Sequence, residues 1–355
     1  MKKHFMFVSL FFSTNAMAEE FSEPKAEELD VYEIARAISL DLRGKALDQS
    51  ELEALSTAEE INDALIDSWM QGSDFEEQVI THHRSLFWNK VWFSPNPDTR
   101  LRNYGAFMYH PEFPTDIYHV QYRTFSRRGG QKTGGQFPYC SNYPADVNEL
   151  NQPQSWKERN QYGNEEAGGW RDEGYVWVTP WWNMDIQVKV CAYDAQLLEI
   201  TSTGTDCSTP ASKYDAECGC GENLKWCVTP EEQNRVVAGV SQALSERVRS
   251  LLQNDLPYSE LVTKSSLMMN GSMSYYYRNR ASLSKTLISP VDQENIPVLD
   301  LNDETWVEVP AGDHHAGVLT EPGWLFRHQT NRGRANRFYG AFLCKEFQPP
   351  PLDSR

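Results

Sequence analysis

Residues 229–252, TPEEQNRVVAGVSQALSERVRSLL, carry the strongest folding signal in this 355-residue chain. Thr229 and Glu232 have the spacing of a capping box, and Pro230 stands at the first helical position. Beyond them, apolar residues recur every three or four positions, as on one face of a helix. These residues are Val236, Val237, Val240, Leu244, Val248 and Leu251. The stretch predicts a long amphipathic helix of about six turns, within a region, residues 229–285, that is expected to be helical.

The amino-terminal region, residues 19–95, shows the same helical periodicity. An apolar stripe begins at Val31, and Gly44 is placed to end that helix. A second helix is predicted near Ala58–Met70, and Ser73 with Glu76 forms a capping box for a third. The stripe of the first helix consists of Val31, Ile34, Ala35, Ile38 and Leu42.

The middle region, residues 96–228, is rich in Gly, Asn, Pro, Cys and aromatic residues. Tyr175–Val178 and Asp185–Val190 show the alternation of strands, and glycine pairs interrupt longer elements. The chain therefore predicts a mainly α fold. Helical bundle regions at 19–95 and 229–355, the latter with a Pro-rich tail, flank a disulfide-stapled β/loop insertion.

The amino terminus has the pattern of a secretory signal peptide over residues 1–18. Lys2 and Lys3 precede a short apolar stretch at Phe5–Phe12, and Ala16–Ala18 matches a small-residue cleavage site. The apolar stretch is too short to span a bilayer, and no later one is long enough. We expect an exported protein, periplasmic or secreted, without a membrane span.

The charge balance argues against nucleic acid as a partner. The chain has 50 acidic and 33 basic residues, which gives a net charge of −17. A protein that neutralises phosphates needs a basic face, and this balance does not favour one.

Cysteine usage fits an oxidising compartment. Six cysteines lie in the middle region, and Cys344 stands apart from them. We expect three disulfides among the six, although six cysteines allow 15 connectivities. A metal cluster at Cys218, Cys220 and Cys227 is the alternative, but their spacing fits zinc knuckles poorly. The six are Cys140, Cys191, Cys207, Cys218, Cys220 and Cys227.

A series of motifs in the carboxyl-terminal region carries a family resemblance. In order, they are Leu256-Pro-Tyr-Ser-Glu-Leu-Val262, Asn270-Gly, Tyr275-Tyr-Tyr277, His314-His315-Ala-Gly-Val-Leu-Thr320, Asn331-Arg-Gly-Arg334, Leu343-Cys344 and Pro349–Pro351. The series resembles the late region of the planctomycete-type cytochrome-like proteins. Leu40-Asp-Leu-Arg-Gly44 is similar to the opening of the same family.

The resemblance implies heme on a partner. In that family a Cys-x-x-Cys-His heme-attachment motif follows the prolines, and these 355 residues contain none. Because covalent attachment needs both thiols and the histidine, we expect no covalent heme and no cofactor in this chain. The implied function is an exported, non-catalytic module that docks a c-type cytochrome or a carboxyl-terminal partner polypeptide. The residues implied to lie near the partner's heme are His314, His315, Arg332, Arg334 and Arg337.

These histidines and arginines also have simpler interpretations. Together with Arg327, the arginines form a dense basic cluster, and they could pair with the abundant acidic residues across a domain interface. The histidines could be hydrogen-bonded loop residues, or could bind a metal with His82-His83. Adjacent histidines on a strand face opposite sides, which disfavours chelation of one ion.

An alternative function class is suggested by aromatic residues in the middle region. They lie near Glu165-Glu166 and Asp172-Glu173. An exposed tryptophan can stack on a sugar ring, and two nearby carboxylates could act as the acid and base that cleave it. The chain could thus be a periplasmic carbohydrate-binding or carbohydrate-cleaving protein, although alternating tryptophans also build cores. The candidate platform is Trp170, Tyr175, Trp177, Trp181 and Trp182.

Two further motifs resemble known sites but fit them poorly. Gly239-Val-Ser241-Gln-Ala243 nearly matches a nucleophile elbow, yet its register places Ser241 inside the long helix. Asp300–Glu304 offers alternating oxygen ligands for calcium, but it lacks the turn glycine and the closing glutamate. We expect an ordinary helix and an ordinary turn.

Overall fold

The structure is a computed structural model that describes residues 30–88, 90–91, 99–103, 116–120, 140–159, 170–284, 287 and 289–345. The predicted signal peptide and Pro349–Pro351 lie outside the described residues. The chain divides into two compact units, Met1–Phe75 and Glu76–Arg355.

The first unit contains helices α1 (Val31–Arg43), α2 (Gln49–Leu55) and α3 (Asp63–Met70). α1 ends at Gly44, whose φ of 70° is the left-handed conformation that glycine favours. Asp30 and Asp48 begin α1 and α2 with complete capping boxes, and Asn62 caps α3. The core of this unit consists of Ala35, Leu55 and Trp69.

The second unit is organised by α5 (Pro230–Gln253), which confirms the helix predicted at 229–252. Its first turn is capped by Thr229, whose side chain accepts a hydrogen bond from the Glu232 N–H. Most of the predicted stripe is buried, including Val240 and Leu244. The other helices of this unit are α4 (Ser73–Phe87, starting at the end of the first unit), α6 (Glu260–Thr263), α7 (Gly271–Asn279), α8 (Pro322–Arg327) and α9 (Asn331–Phe342).

Two hydrophobic clusters lie on α5. In the first, α5 packs against α7 and the strand β7 (Ser266–Met269), with Met273 and Tyr276 among the buried residues. In the second, it packs against α8 and residues of α4, with Trp324 and Phe87 buried. Short 3-10 turns occupy Pro210–Tyr214, Glu222–Leu224, Ala281–Leu283, Gln293–Asn295 and Gly317–Leu319.

The middle region forms small sheets. A four-stranded sheet has the order β1-β2-β6-β5, in which the β2–β6 pair is parallel and the other two pairs are antiparallel. Two antiparallel pairs, β3–β4 and β7–β8, complete the strands of the described residues. The remaining bounds are β1 Leu101–Asn103, β2 Ile117–Val120, β3 Lys157–Arg159, β4 Trp170–Asp172, β5 Tyr175–Val178, β6 Val188–Cys191 and β8 Val307–Pro310.

Three disulfides join the six cysteines of the middle region, as expected. The pairs are Cys140–Cys191, Cys207–Cys218 and Cys220–Cys227. Cys344 is exposed and unpaired. Since Cys218, Cys220 and Cys227 are all oxidised in pairs, they do not form the alternative metal cluster.

The observed fold is less purely α than expected. Helices do flank a disulfide-bonded β/loop region, but β7 and β8 pair within the region that was predicted to be helical. Ser266–Met269 is a run of four buried residues, and such short runs do not distinguish a strand from a helix. α2 was not predicted, and α3 begins only at Asp63 because Asn62 caps it.

Within the described ranges, every helix is too short or too polar to cross a lipid bilayer.

Candidate functional site

An exposed tryptophan at the end of α4 is the centre of the candidate site. Trp88 leaves 52% of its surface exposed, and its φ of 51° is in the left-handed region. Its N–H donates to the Arg84 carbonyl at 3.0 Å, which closes the last turn of the helix. The left-handed conformation costs a bulky L-residue about 1–2 kcal/mol. A strained, exposed aromatic residue therefore needs support from its neighbours.

That support comes from two arginines. The Arg337 guanidinium lies 4.2 Å from the Trp88 ring centroid, and that of Arg327 lies 5.4 Å from it. Arg337 also donates to the carbonyls of Leu86 at 2.5 Å and Ser85 at 2.6 Å. These carbonyls belong to the last turn of α4, where a cation is favourable. Arg337 thus both caps α4 and holds the indole ring.

The start of α9 positions a third arginine. The Thr330 hydroxyl caps this helix by accepting from the Gly333 N–H at 3.0 Å. Arg334 lies one turn before Arg337 and donates to the His328 carbonyl at 3.1 Å and to the Asn331 side chain. Trp88, Arg327, Arg334 and Arg337 are called the Trp88 patch below.

The pKa of His328 responds to the positive charge of the Trp88 patch. It is buried, its ring packs 4.5 Å from that of Trp324, and its Nε2 lies 3.2 Å from the Phe87 carbonyl. Burial lowers the pKa of His328, and the positive charges of Arg337, Arg327 and Arg334 lower it further. The three guanidinium groups thus all lie close enough to His328 to disfavour its protonated form.

No carboxylate of the described residues forms an ion pair with the Trp88 patch, in contrast to many other basic residues of the chain. Desolvation and the neighbouring charge of Arg327 both lower the pKa of Arg337. The alternative that these arginines pair with acidic residues across an interface therefore has no support among the residues described. Among the described residues, the patch is therefore a positive region without a carboxylate partner on an acidic protein.

The residues that the family resemblance implied do not all meet at this patch. Arg334 and Arg337 belong to it, but Arg332 is about 140° from Arg337 around the axis of α9 and is exposed. His314 is exposed, whereas the half-buried His315 lies near Arg247 and the Lys264 backbone. Neither histidine forms a hydrogen bond, ion pair or ring contact with the Trp88 patch in the described part of the chain.

The aromatic residues of the proposed sugar platform are also divided. Trp181 stacks on Tyr275 with ring centroids 3.7 Å apart, and its indole N–H donates to the Cys227 carbonyl at 2.9 Å. Trp182 packs at 6.2 Å against Tyr118. Tyr175 and Trp177 remain together, with the Lys189 ammonium 4.9 Å and 5.6 Å from their ring centroids. Trp181 and Trp182 contribute to packing, and Trp177 is exposed.

Two of the four acidic residues near that platform are buried away from solvent. Asp172 is fully buried and accepts the Ser141 N–H at 2.7 Å. Glu173 is fully buried as well. The side chain of Trp170 and residues Glu165-Glu166 lie outside the described part.

In the described ranges, no group of side chains is suited to bind a metal ion as the alternative interpretations of the cysteines and histidines require. One group, Cys140, Glu173 and Cys191, has its ligand atoms close together, but its two sulfurs are joined in a disulfide. His83 is used structurally, since its ring nitrogens lie 2.8 Å from the Val79 carbonyl and 3.1 Å from the Tyr258 hydroxyl.

The two motifs that fitted poorly lie in a helix and in a loop with two side-chain turns. Ser241 lies inside α5, and its hydroxyl donates to the Val237 carbonyl at 3.0 Å. The Asp300 and Asp303 side chains accept the N–H groups of Asn302 and Thr305 at 2.9 and 2.8 Å. These are Asx turns, in which the carboxylates stabilise their own loop.

Trp88 and Arg327 are the parts of the site that sequence reasoning did not select. Arg327 was recognised only as a member of a basic cluster, and Trp88 follows a helix without any motif. The contact between Arg337 and Leu86 spans 251 positions of sequence, so only the fold reveals it.

No family model matches the chain, and no curated protein or solved structure is significantly similar to it.

Proposed function

We propose that the chain is an exported, non-catalytic docking module whose Trp88 patch binds an anionic group of a c-type heme protein. The observation that carries the proposal is the placement of Arg327 and Arg337 over one exposed indole ring, with the charge of Arg334 acting on the adjacent His328 and without a carboxylate partner among the described residues. Such an arrangement leaves the guanidinium groups available to an external anion. The family resemblance of the carboxyl-terminal motifs points to heme as the source of that anion.

Heme propionates suit the chemistry of this patch. A guanidinium group without other hydrogen bonds can hold a carboxylate through two parallel hydrogen bonds. Among the described residues Arg327 is such a group, whereas Arg334 and Arg337 already donate to backbone carbonyls. The exposed Trp88 ring adds a flat apolar surface on which the edge of a planar macrocycle can rest. A propionate-bearing heme edge therefore matches both components, whereas a simple inorganic anion would use only the arginines.

The overall charge limits which anions can approach. At −17 the protein repels acidic partners at long range, so binding depends on close contacts at the patch. We expect weak, transient association, as is usual for redox partners with small interfaces. Increasing salt should weaken it, because the patch lies at the surface.

The disulfides support the exported location. Three of them in one chain are typical of oxidising compartments. The signal-like pattern at residues 1–18 is in agreement with this location.

The proposal is tested by titrating the protein with a soluble heme-c undecapeptide, which carries both propionates, in a calorimeter. The double variant Arg327→Gln with Arg334→Gln removes two charges but leaves the α4 cap intact. We expect affinity to fall about tenfold or more, which corresponds to about 1.4 kcal/mol. Arg337 is kept because it stabilises α4.

The matched control is Arg278→Gln. Arg278 is an exposed arginine of α7 without a hydrogen bond or ion pair in the described residues. The Arg278→Gln variant should bind the heme peptide as tightly as the unchanged protein does. Equal loss in both variants, or no binding by the unchanged protein, would refute docking at the Trp88 patch.

A further inference from the structure

A second feature of the larger unit is a polar cavity apart from the Trp88 patch. It has a volume of about 450 Å³ and lies between α5, the start of α7 and residues 301–306. This volume is within the usual range for small-molecule sites. Its polar lining includes Arg235, Gln242, Asn270, Asn302 and Glu304, and Trp306 supplies an aromatic wall.

The walls of the cavity are fixed by close backbone contact. The Gly271 N–H donates to the Asp303 carbonyl at 3.0 Å. A Cβ atom at Gly271 would lie 1.8 Å from the Asp300 carbonyl oxygen, so only glycine permits this approach. The Asx turns at Asp300 and Asp303 stiffen the same loop. The cavity is therefore formed before any ligand enters, which reduces the entropy lost on binding.

The lining offers both donors and acceptors. The Arg235 guanidinium donates to the Asn302 Oδ1 at 2.8 Å, which leaves the Asn302 amide nitrogen for a ligand. The side chains of Gln242, Glu304 and Trp306 form no hydrogen bond with the described residues. Arg235 also lies 3.7 Å from the Glu232 carboxylate, so its charge is partly compensated.

Trp306 is held on one side only. It packs against the core cluster of α5, α7 and β7, and it is half-buried. It also lines the cavity. A tryptophan anchored in this way is a rigid platform for a flat apolar face.

We propose that this cavity binds a neutral sugar ring. Sugar hydroxyls both donate and accept, which matches amides and a carboxylate next to a guanidinium group. The C–H face of the ring would rest on Trp306. An anion is disfavoured by Asp303 and Glu304, and a metal ion is disfavoured because Arg235 occupies the Asn302 carbonyl oxygen.

This proposal places sugar binding at Trp306 and not at the aromatic residues of the middle region. Trp177 is an exposed residue there, whereas Trp306 lines a cavity together with polar side chains. The inference is independent of heme docking, since no residue of the Trp88 patch lines the cavity.

The test is calorimetric titration with D-glucose, D-galactose, N-acetyl-D-glucosamine and maltose. We expect at least one of these sugars to bind. The variants Asn302→Ala and Gln242→Ala, both at exposed positions, should each weaken it about tenfold, because each leaves ligand hydroxyls without a partner. Trp306→Phe, which keeps an aromatic ring in the core, should weaken it as well.

Trp177→Ala is the matched control, because it removes an exposed tryptophan of the middle region. It should leave sugar affinity unchanged. Binding that survives Asn302→Ala and Gln242→Ala, or that is lost in Trp177→Ala, would overturn the cavity assignment. Absence of binding by all four sugars would overturn it too.

Discussion

Arg247 in α5 and the arginines of the Trp88 patch use the same side chain in opposite ways. Arg247 is 1% exposed and donates to the Glu321 carboxylate at 2.8 and 3.1 Å, and it also donates to Ser266. The patch arginines meet carbonyls and an indole ring but no carboxylate of the described residues. The comparison teaches that at Arg247 a buried charge is compensated by a carboxylate. Charge that the protein leaves uncompensated at its surface is available to a partner.

The largest effect is expected from breaking the buried pair. Glu321→Gln keeps the shape of the side chain but leaves the Arg247 charge unpaired in the core. We expect the free energy of unfolding to fall by about 3–5 kcal/mol, as for other broken buried pairs. Urea unfolding measures it. Glu260→Gln, which affects a surface contact to Lys264 at 3.9 Å, should change it by less than about 1 kcal/mol. Similar values for both variants would mean that Arg247 is not paired as described.

Within the patch, Arg337 should matter more for stability than Arg327. Arg337→Gln removes two hydrogen bonds to the end of α4 and the closer contact with Trp88. We expect a loss of about 1–2 kcal/mol in the free energy of unfolding, against less than about 0.5 kcal/mol for Arg327→Gln. The reverse order, measured by urea unfolding, would show that Arg337 is not a structural residue.

The surroundings of Arg247 also predict a pH dependence. Burial, with the nearby Arg247 charge, lowers the pKa of His315 from 6.5 to about 4. The unfolded chain therefore binds a proton between these pH values that the folded chain does not bind, and stability falls as pH drops from 6.5 towards 4. Allowing for solvent screening of a partly exposed side chain, the loss is about 1–2 kcal/mol.

Urea unfolding at pH 7 and pH 4.5 of the unchanged protein and of His315→Gln measures this contribution. The variant should lose less stability over this interval. His314→Gln, at the exposed neighbouring position, should behave as the unchanged protein does. An identical pH dependence in all three proteins would contradict the enclosure of His315 beside Arg247.

A small effect on stability is also expected at Trp88 itself. Trp88→Gly relieves the left-handed conformation but removes the ring on which Arg337 and Arg327 stack. Because these contributions oppose each other, the free energy of unfolding should change by less than about 1 kcal/mol. Affinity for the heme-c undecapeptide should nevertheless fall. A large loss of stability would make Trp88 a structural residue instead of a docking residue.

Local signals predicted local structure well. The stripe of Val31 and Leu42 with Gly44 gave α1, and the Thr229 cap with its apolar face gave α5. The number of disulfides followed from six cysteines in one region, but their pairing required the fold. The prediction of a helix was wrong at Ser266–Met269, which forms a strand paired with β8. A short apolar run does not show whether its backbone pairs with another strand.

The candidate sites depended on contacts between distant residues, which no local pattern reveals. The family resemblance selected Arg334 and Arg337, but it also selected Arg332, which the helical period turns away from Arg337. Arg235 and Asn302 are 67 positions apart and meet across the cavity. Trp88 could not be found from its neighbours in sequence, since its importance comes from arginines in α8 and α9.

The central claim, that the Trp88 patch recognises heme propionates, is tested most directly by changing the ligand. The heme-c undecapeptide and its propionate dimethyl ester share the same macrocycle and differ in the two carboxylates. We predict that the free acid binds at least about tenfold more tightly than the ester, and that this difference disappears in Arg327→Gln with Arg334→Gln. Equal affinity of the unchanged protein for acid and ester would contradict the account.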